Sequence, residues 1–243
     1  MKNLLTIVVR DYSGAKHASA LYDGIELIYS EDDEPKKDFV LRALKNATGK
    51  YAILLEQKFK FADVNSLINI LDKNSTDMVI FAGGTAIKTS VMKTVVKDCE
   101  DLFSCFILSV LNCKTVLKSD YVPLAFEKSE IKFNADNYSG LMVAAKAFVA
   151  AKAKLSKDIY SHTINALCTR LVIFYMSAMV AIHEGRWERE KLIEFDSKLK
   201  GEIVLYLALE KNFTAAKLVK LRKKGFKISR LTVKKFKRIL KAQ

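Results

Sequence analysis

The chain has 243 residues, half of them apolar, which is enough to bury a substantial core and excludes disorder as a global description. Its formal net charge of +14 is concentrated at one end: residues 214 to 243 hold twelve Lys and Arg and no acid, so the basicity belongs to a tail rather than to the fold. Cys99, Cys105, Cys113 and Cys168 lie among apolar neighbours with no C-x-x-C pair, which argues against a disulfide framework or a zinc site and for reduced core thiols.

In chain order, Leu4 to Val9 is only strand length and Arg10-Asp11 follows at once, so no cleavable leader is read there and the mature chain is expected to begin inside the cell. Ile25 to Tyr29, Tyr51 to Leu55, Met78 to Phe81 and Tyr121 to Phe126 are further β-rich runs. Between them Asp38 to Ala47 and Asp63 to Leu71 carry apolar residues at helical spacing, and a shorter helix is expected at Ala15 to Leu21. Strand and helix in alternation predict an α/β sheet, mostly parallel, over residues 1 to 127.

From residue 128 to 243 turn signals thin out and the pattern becomes all-α. Helices are predicted over Asn137 to Leu155, Asp158 to His183, Trp187 to Lys198, Glu202 to Glu210, Thr214 to Lys224 and Ser229 to Lys241, with breaks at Gly185, Gly201 and Gly225. The longest apolar run, Leu171 to Ile182, is bracketed by Arg170 and His183. It falls short of the roughly 20 residues of a helical membrane span and reads as a buried helix.

The segment from Ala47 through Gly49, Tyr51 and Leu55 to Glu56-Gln57-Lys58 resembles the family-2 glycosyltransferases, in which a helix ends on Ala-x-Gly and a Tyr opens a buried strand. In that family the strand delivers an Asp-x-Asp motif at its carboxyl end, where open α/β sheets bind their ligands. Two carboxylates so placed hold a divalent ion against the diphosphate of a sugar nucleotide. Here Glu56 and Lys58 stand in those positions, so the resemblance implies a site without the usual metal, in which the Lys58 ammonium meets the diphosphate as a point charge or is a solvated loop residue. The fold implied is a GT-A-like sheet flanked by helices, followed by the all-α region.

Upstream, Asp11 to Gly14 is similar to the polar turn that lines the family's nucleotide pocket. Glu31-Asp32, at the end of the second strand, occupies the place where a pair of acids faces base and ribose. The Gly-Ser that follows in the family is Asp33-Glu34 here, and its Arg-Asn is Val40-Leu41. Downstream, Glu100-Asp101 before an apolar helix at Phe103 to Leu111, with Tyr121 to Leu124 beyond it, looks like the family's Glu-Asp block. That likeness makes Asp101 the candidate general base; an acid at a helix start also serves as a cap.

Two further motifs lead nowhere. Gly84 to Thr89 lacks the glycine that a phosphate loop needs before its lysine, and His183-Glu184 lacks the second histidine of a zinc-protease helix, position 187 being Trp187. Gly185-Arg186-Trp187 only faintly echoes the Gln-x-x-Arg-Trp of processive sugar polymerases, and Trp187 is expected to pack on the core.

In the tail, Ile228, Leu231, Val233, Phe236, Ile239 and Leu240 spread over one side of a helical wheel, with Lys227, Arg230, Lys234, Lys237, Arg238 and Lys241 on the other. This is the pattern of a helix lying on an anionic membrane, with Phe236 among the apolar contacts, or of one packed on the body with a basic face in water. Nucleic acid ranks behind the membrane as a partner, because no recognisable motif or aromatic-interleaved surface accompanies the charge.

The expected protein is thus a glycosyltransferase-like chain at the cytoplasmic membrane face, without a metal cofactor. It would transfer sugar from a nucleotide-sugar donor to a lipid-linked or cell-surface glycan precursor. The alternative is a non-catalytic relative that serves as a scaffold for a protein partner.

Overall fold

The computed structural model describes residues 3–10, 24–31, 33–56, 59–126, 137–200 and 220–241. The chain divides into two compact units, Met1–Glu127 and Lys128–Gln243.

The strands of the first unit are β1 (Leu5–Val9), β2 (Ile25–Tyr29), β3 (Tyr51–Leu55), β4 (Phe59–Phe61), β5 (Met78–Phe81), β6 (Gly84–Lys88), β7 (Val116–Lys118) and β8 (Leu124–Phe126). Six of them form one sheet in the order β2-β1-β3-β6-β5-β7, and β4 pairs with β8 apart from it. β1 is parallel to β2 and β3, β5 is parallel to β7, and β6 alone runs against the other five. Helices α1 (Lys36–Asn46), α2 (Val64–Lys73), α3 (Thr89–Val95) and α4 (Leu102–Asn112) flank the sheet. This is the mostly parallel α/β sheet flanked by helices that the alternation of strand and helix predicts, and the described residues after it are helical.

Why these segments become central strands follows from their composition. β1 reads LTIVV and is buried at every position, because side chains on both faces of a helix-covered sheet must leave water. One face holds Leu5, Ile7, Val9, Tyr51, Ile53 and Val79 against Leu67 and Leu71 of α2. The alternating residues Thr6, Val8 and Ala52 point the other way, where α1, α3 and α4 contact one another and α4 meets β3.

Four strands differ from expectation: Phe59–Phe61, Gly84–Lys88 and Val116–Lys118 are not among the predicted β-rich runs, and Tyr121 to Phe126 is shortened. Gly84 to Lys88 is the antiparallel partner of β5, reached through a tight turn at Ala82 and Gly83, whose φ of 90° suits glycine. Tyr121 to Phe126 narrows to Leu124–Phe126 and leaves the main sheet to pair with Phe59–Phe61.

Gly49, two residues before β3, lies against the backbone of β1. A Cβ there would lie 2.5 Å from the Thr6 nitrogen and 2.6 Å from the Leu5 carbonyl carbon, while the Gly49 N–H donates to Thr6 Oγ1 at 2.9 Å. Backbone atoms cannot step aside as a flexible side chain can. Gly49→Ala is therefore expected to destabilise by about 1–3 kcal/mol, the usual cost of forcing extra volume into a filled site. An unchanged urea midpoint for this variant would show that the two strands are looser here than their contacts imply.

The second unit comprises α5 (Asn137–Ala151), α6 (Lys157–His183), α7 (Arg189–Lys200) and α8 (Arg230–Leu240). α6 is its centre and contacts α5, α7 and α8. At 27 residues it is longer than its apolar core, and by length and composition alone it is long and apolar enough to cross a membrane. Its most apolar stretch is 67% buried among its neighbours, as in the core helix of a bundle. Trp187 meets Phe174 edge-on at 6.0 Å, so it packs on the bundle as expected. The helices expected at Ala15 to Leu21 and Glu202 to Glu210 lie outside the described residues, and of Thr214 to Lys224 only the final turn is described.

Candidate functional site

Because β1, β2 and β3 are parallel, their carboxyl ends meet along one edge of the sheet, at Val9, Tyr29 and Leu55. Past those ends the chain stays knitted together. The Arg10 N–H donates to the Leu55 carbonyl at 3.2 Å, the Ser30 N–H donates to the Val9 carbonyl at 3.2 Å, and the Ser30 hydroxyl donates to the Arg10 carbonyl. α1 starts from this edge because it follows β2, and α4 starts from it because it precedes β7, which is parallel to β5. A Lys37–Glu100 ion pair at 2.8 Å joins the two helix starts. With Lys37 exposed and Glu100 only half-buried, the pair adds little stability, but it ties the beginning of α1 to the residue before Asp101. Arg10, Glu31, Glu56 and Asp101 thus belong to one end of the sheet.

The turn after β2 is built around Arg42, a residue that sequence reasoning passed over. Its guanidinium donates from Nε and Nη2 to the two carboxylate oxygens of Glu34, both at 2.7 Å, and from Nη2 to the Tyr29 carbonyl at 3.0 Å; Glu31 lies 4.0 Å away. The two-pronged geometry suits a planar guanidinium and is closed to lysine. Arg42 holds Glu34 below the usual carboxylate range. A depressed carboxylate stabilises the fold above its unfolded pKa and loses that contribution as pH falls through the folded value. Asp33 adopts φ 58°, the left-handed region that aspartate tolerates better than most residues. The turn thus keeps a glycine-type backbone although Asp33 stands where the resembled family has Gly. Glu31 projects from it with its side chain 74% exposed.

Asp101 is the N-cap of α4. Its Oδ1 accepts from the Ser104 N–H at 2.7 Å, and Ser104 Oγ accepts from the Asp101 N–H at 3.0 Å and the Glu100 N–H at 2.9 Å, which closes a capping box. Asp101 is 2% exposed and Ser104 is fully buried. The serine three positions on was the legible signal for the cap. Glu56 directly follows β3 and is half-buried, while Asp11, Asp32 and Lys58 lie outside the described residues. Among the described residues no group of three or more His, Cys, Asp or Glu stands close enough to hold a metal ion.

All four cysteines are buried and free. Contact with Cys105 and burial push the Cys99 thiol upward, and burial pushes Cys113 to about 12 and Cys168 to about 11. None of these three is a thiolate nucleophile near neutral pH.

In the second unit one polar cluster lies deep in the bundle. Asp196 Oδ1 accepts from the Tyr175 hydroxyl at 2.6 Å and from Arg222 Nε at 2.6 Å, with the Asp196 and Arg222 side chains 5% and 7% exposed. Burial first and the Asp196 carboxylate second hold the Tyr175 phenol well above its ordinary range. The cluster joins α6, α7 and the turn of helix at 220–223.

Along α8 the residues divide differently from the wheel drawn on sequence. Val233, Phe236 and Leu240 are 6%, 7% and 4% exposed and turn into the helical body, while Leu231 stands out at 78%. Phe226 is buried too, with its ring stacked on Tyr175 at 5.8 Å. Lys237 pairs with Glu184 at the end of α6, and Lys227, Arg230, Lys234 and Arg238 are exposed.

No protein-family profile and no curated protein matches the chain. Among solved structures it is similar to S. aureus TarS 1-349, with 13% identity over 68% of this chain and 69% of that one, at a TM-score of 0.43. A second S. aureus TarS structure gives 13% identity over 70% of this chain, which spans 43% of that longer chain, also at 0.43.

Proposed function

We propose that residues 1–127 bind a nucleotide-sugar donor beyond the carboxyl ends of β1, β2 and β3. The sugar would pass to a lipid-linked or cell-surface glycan precursor at the cytoplasmic membrane face. Support comes from one observation above the rest: the three parallel strand ends and the start of α4 share one end of the sheet, bringing Arg10, Glu31, Glu56 and Asp101 to it. Ligands of open α/β sheets bind outside such strand ends. In this reading Asp11 belongs to the turn lining the nucleotide pocket, Glu31 and Asp32 serve base and ribose, Glu56 and Lys58 the diphosphate, and Asp101 takes the proton of the acceptor hydroxyl. An inverting displacement needs that base on the face opposite the leaving diphosphate.

A second reading, a non-catalytic relative that acts as a scaffold for a protein partner, is favoured by Asp101 itself. Its carboxylate is buried and already occupied in capping α4. Calorimetric titration with a panel of nucleoside diphosphates separates the two. Binding that is equally tight with chelator and with added manganese is the result expected if Lys58 replaces the ion, since a lone carboxylate seldom holds a divalent cation. Binding only after manganese is added would overturn the lysine assignment, and no binding by any member of the panel would leave the scaffold reading.

A further inference from the structure

From Lys220 to Lys241 every charged side chain is basic. A helix that merely packs on a body and keeps its other face in water needs no such bias, since mixed charges serve solubility better. α8 spends its apolar face on the bundle through Val233, Phe236 and Leu240. The stripe diametrically opposite, spaced i, i+3, i+4 and i+7, is Leu231, Lys234, Lys235 and Arg238, all exposed. Leu231, at 78% exposure, sits at one end of this cationic stripe and is the most exposed large apolar side chain among the described residues.

Which polyanion such a stripe suits follows from what it presents. Single-stranded nucleic acid is gripped by exposed aromatic rings on which bases stack, and both aromatics of this segment, Phe226 and Phe236, are buried. A bilayer asks for something different: a broad cationic field for its headgroups and an apolar tip that reaches the acyl boundary between them.

We infer that the outer stripe of α8 docks on an anionic lipid bilayer through its headgroups. Leu231 is the side chain that dips below them, and α8 stays folded on α6 instead of peeling away to insert Phe236. This deepens the proposed reading and rests on it only for the acceptor's being at a membrane. The attachment is peripheral, reversible by salt, and independent of nucleotide.

The test is co-sedimentation of the full chain, without nucleotide, on vesicles of phosphatidylcholine alone or mixed with phosphatidylserine. Binding is expected only to the anionic vesicles and should fade as salt screens it. Neutralising Lys234, Lys235 and Arg238 together with Gln should weaken it roughly a hundredfold, each charge near such a surface being worth about fivefold. Leu231→Ser should weaken it a few fold and leave the salt sensitivity intact. All four positions are exposed, so both variants should fold, and amide exchange in α8 should not quicken on vesicles. Equal binding by the neutralised variant, or α8 amides that open on vesicles, overturns the inference. So does tight duplex DNA binding by a chain that ignores anionic vesicles. Nucleoside diphosphate binding, measured without vesicles, should be the same in parent and variants, so failure of the donor reading is recognised separately.

Discussion

Asp196→Ala is expected to unfold the helical unit or lower its thermal midpoint by many degrees. The substitution takes away the carboxylate that neutralises a buried guanidinium and receives a buried phenol, from contacts of 2.6 Å each. Breaking a buried charge pair from one side costs about 3–5 kcal/mol, against a total stability of about 5–15 kcal/mol for a whole domain. Thermal and urea unfolding followed by circular dichroism, with limited proteolysis to show which unit opens, would measure it. The double variant Asp196→Leu/Arg222→Met should recover much of the loss, because apolar replacement of both partners is often neutral or better. A single variant as stable as the parent would mean that water already reaches the pair, at odds with side chains 5% and 7% exposed.

Asp101→Asn is expected to separate two roles that the geometry joins in one carboxylate. As a cap, Asn accepts from the Ser104 N–H about as well as Asp does, so the fold should hold within a few tenths of a kcal/mol. As a base, Asn cannot take a proton, and sugar transfer should fall by about 10²- to 10⁴-fold with donor affinity unchanged. Asp101→Ala should add a loss of about 1 kcal/mol in stability by removing the cap. Transfer by a folded Asp101→Asn protein at the parent's rate would eliminate the base assignment. Absence of transfer in the parent, across donors that it binds, would favour the scaffold.

How much was legible in the sequence differs between the two halves of the site. The Tyr51 to Leu55 strand could be read directly, because a run of apolar residues between a glycine and a charged turn has few other ways to leave water. The Arg42 clamp was not legible. It depends on a helix turning one side chain back over the loop before it, and nothing in the local pattern distinguishes that arginine from a solvated one. The sequence allows Asp101 as base or cap, and its burial with Ser104 is a property of how α4 seats on β3 and α3.

What the sequence determined by itself was composition-driven: alternating strand and helix up to residue 127, helices beyond it, and a tail whose charge is of one sign. These follow from short-range periodicity, which each segment carries without its neighbours. Tertiary structure alone decided that Gly84 to Lys88 runs against the other strands, that Leu124–Phe126 joins Phe59–Phe61, and that Phe236 is buried while Leu231 is exposed. The wheel of an isolated helix shows which residues are apolar, whereas the direction in which they point depends on the largest apolar surface within reach. For α8 that surface is the 27-residue helix at the centre of the bundle.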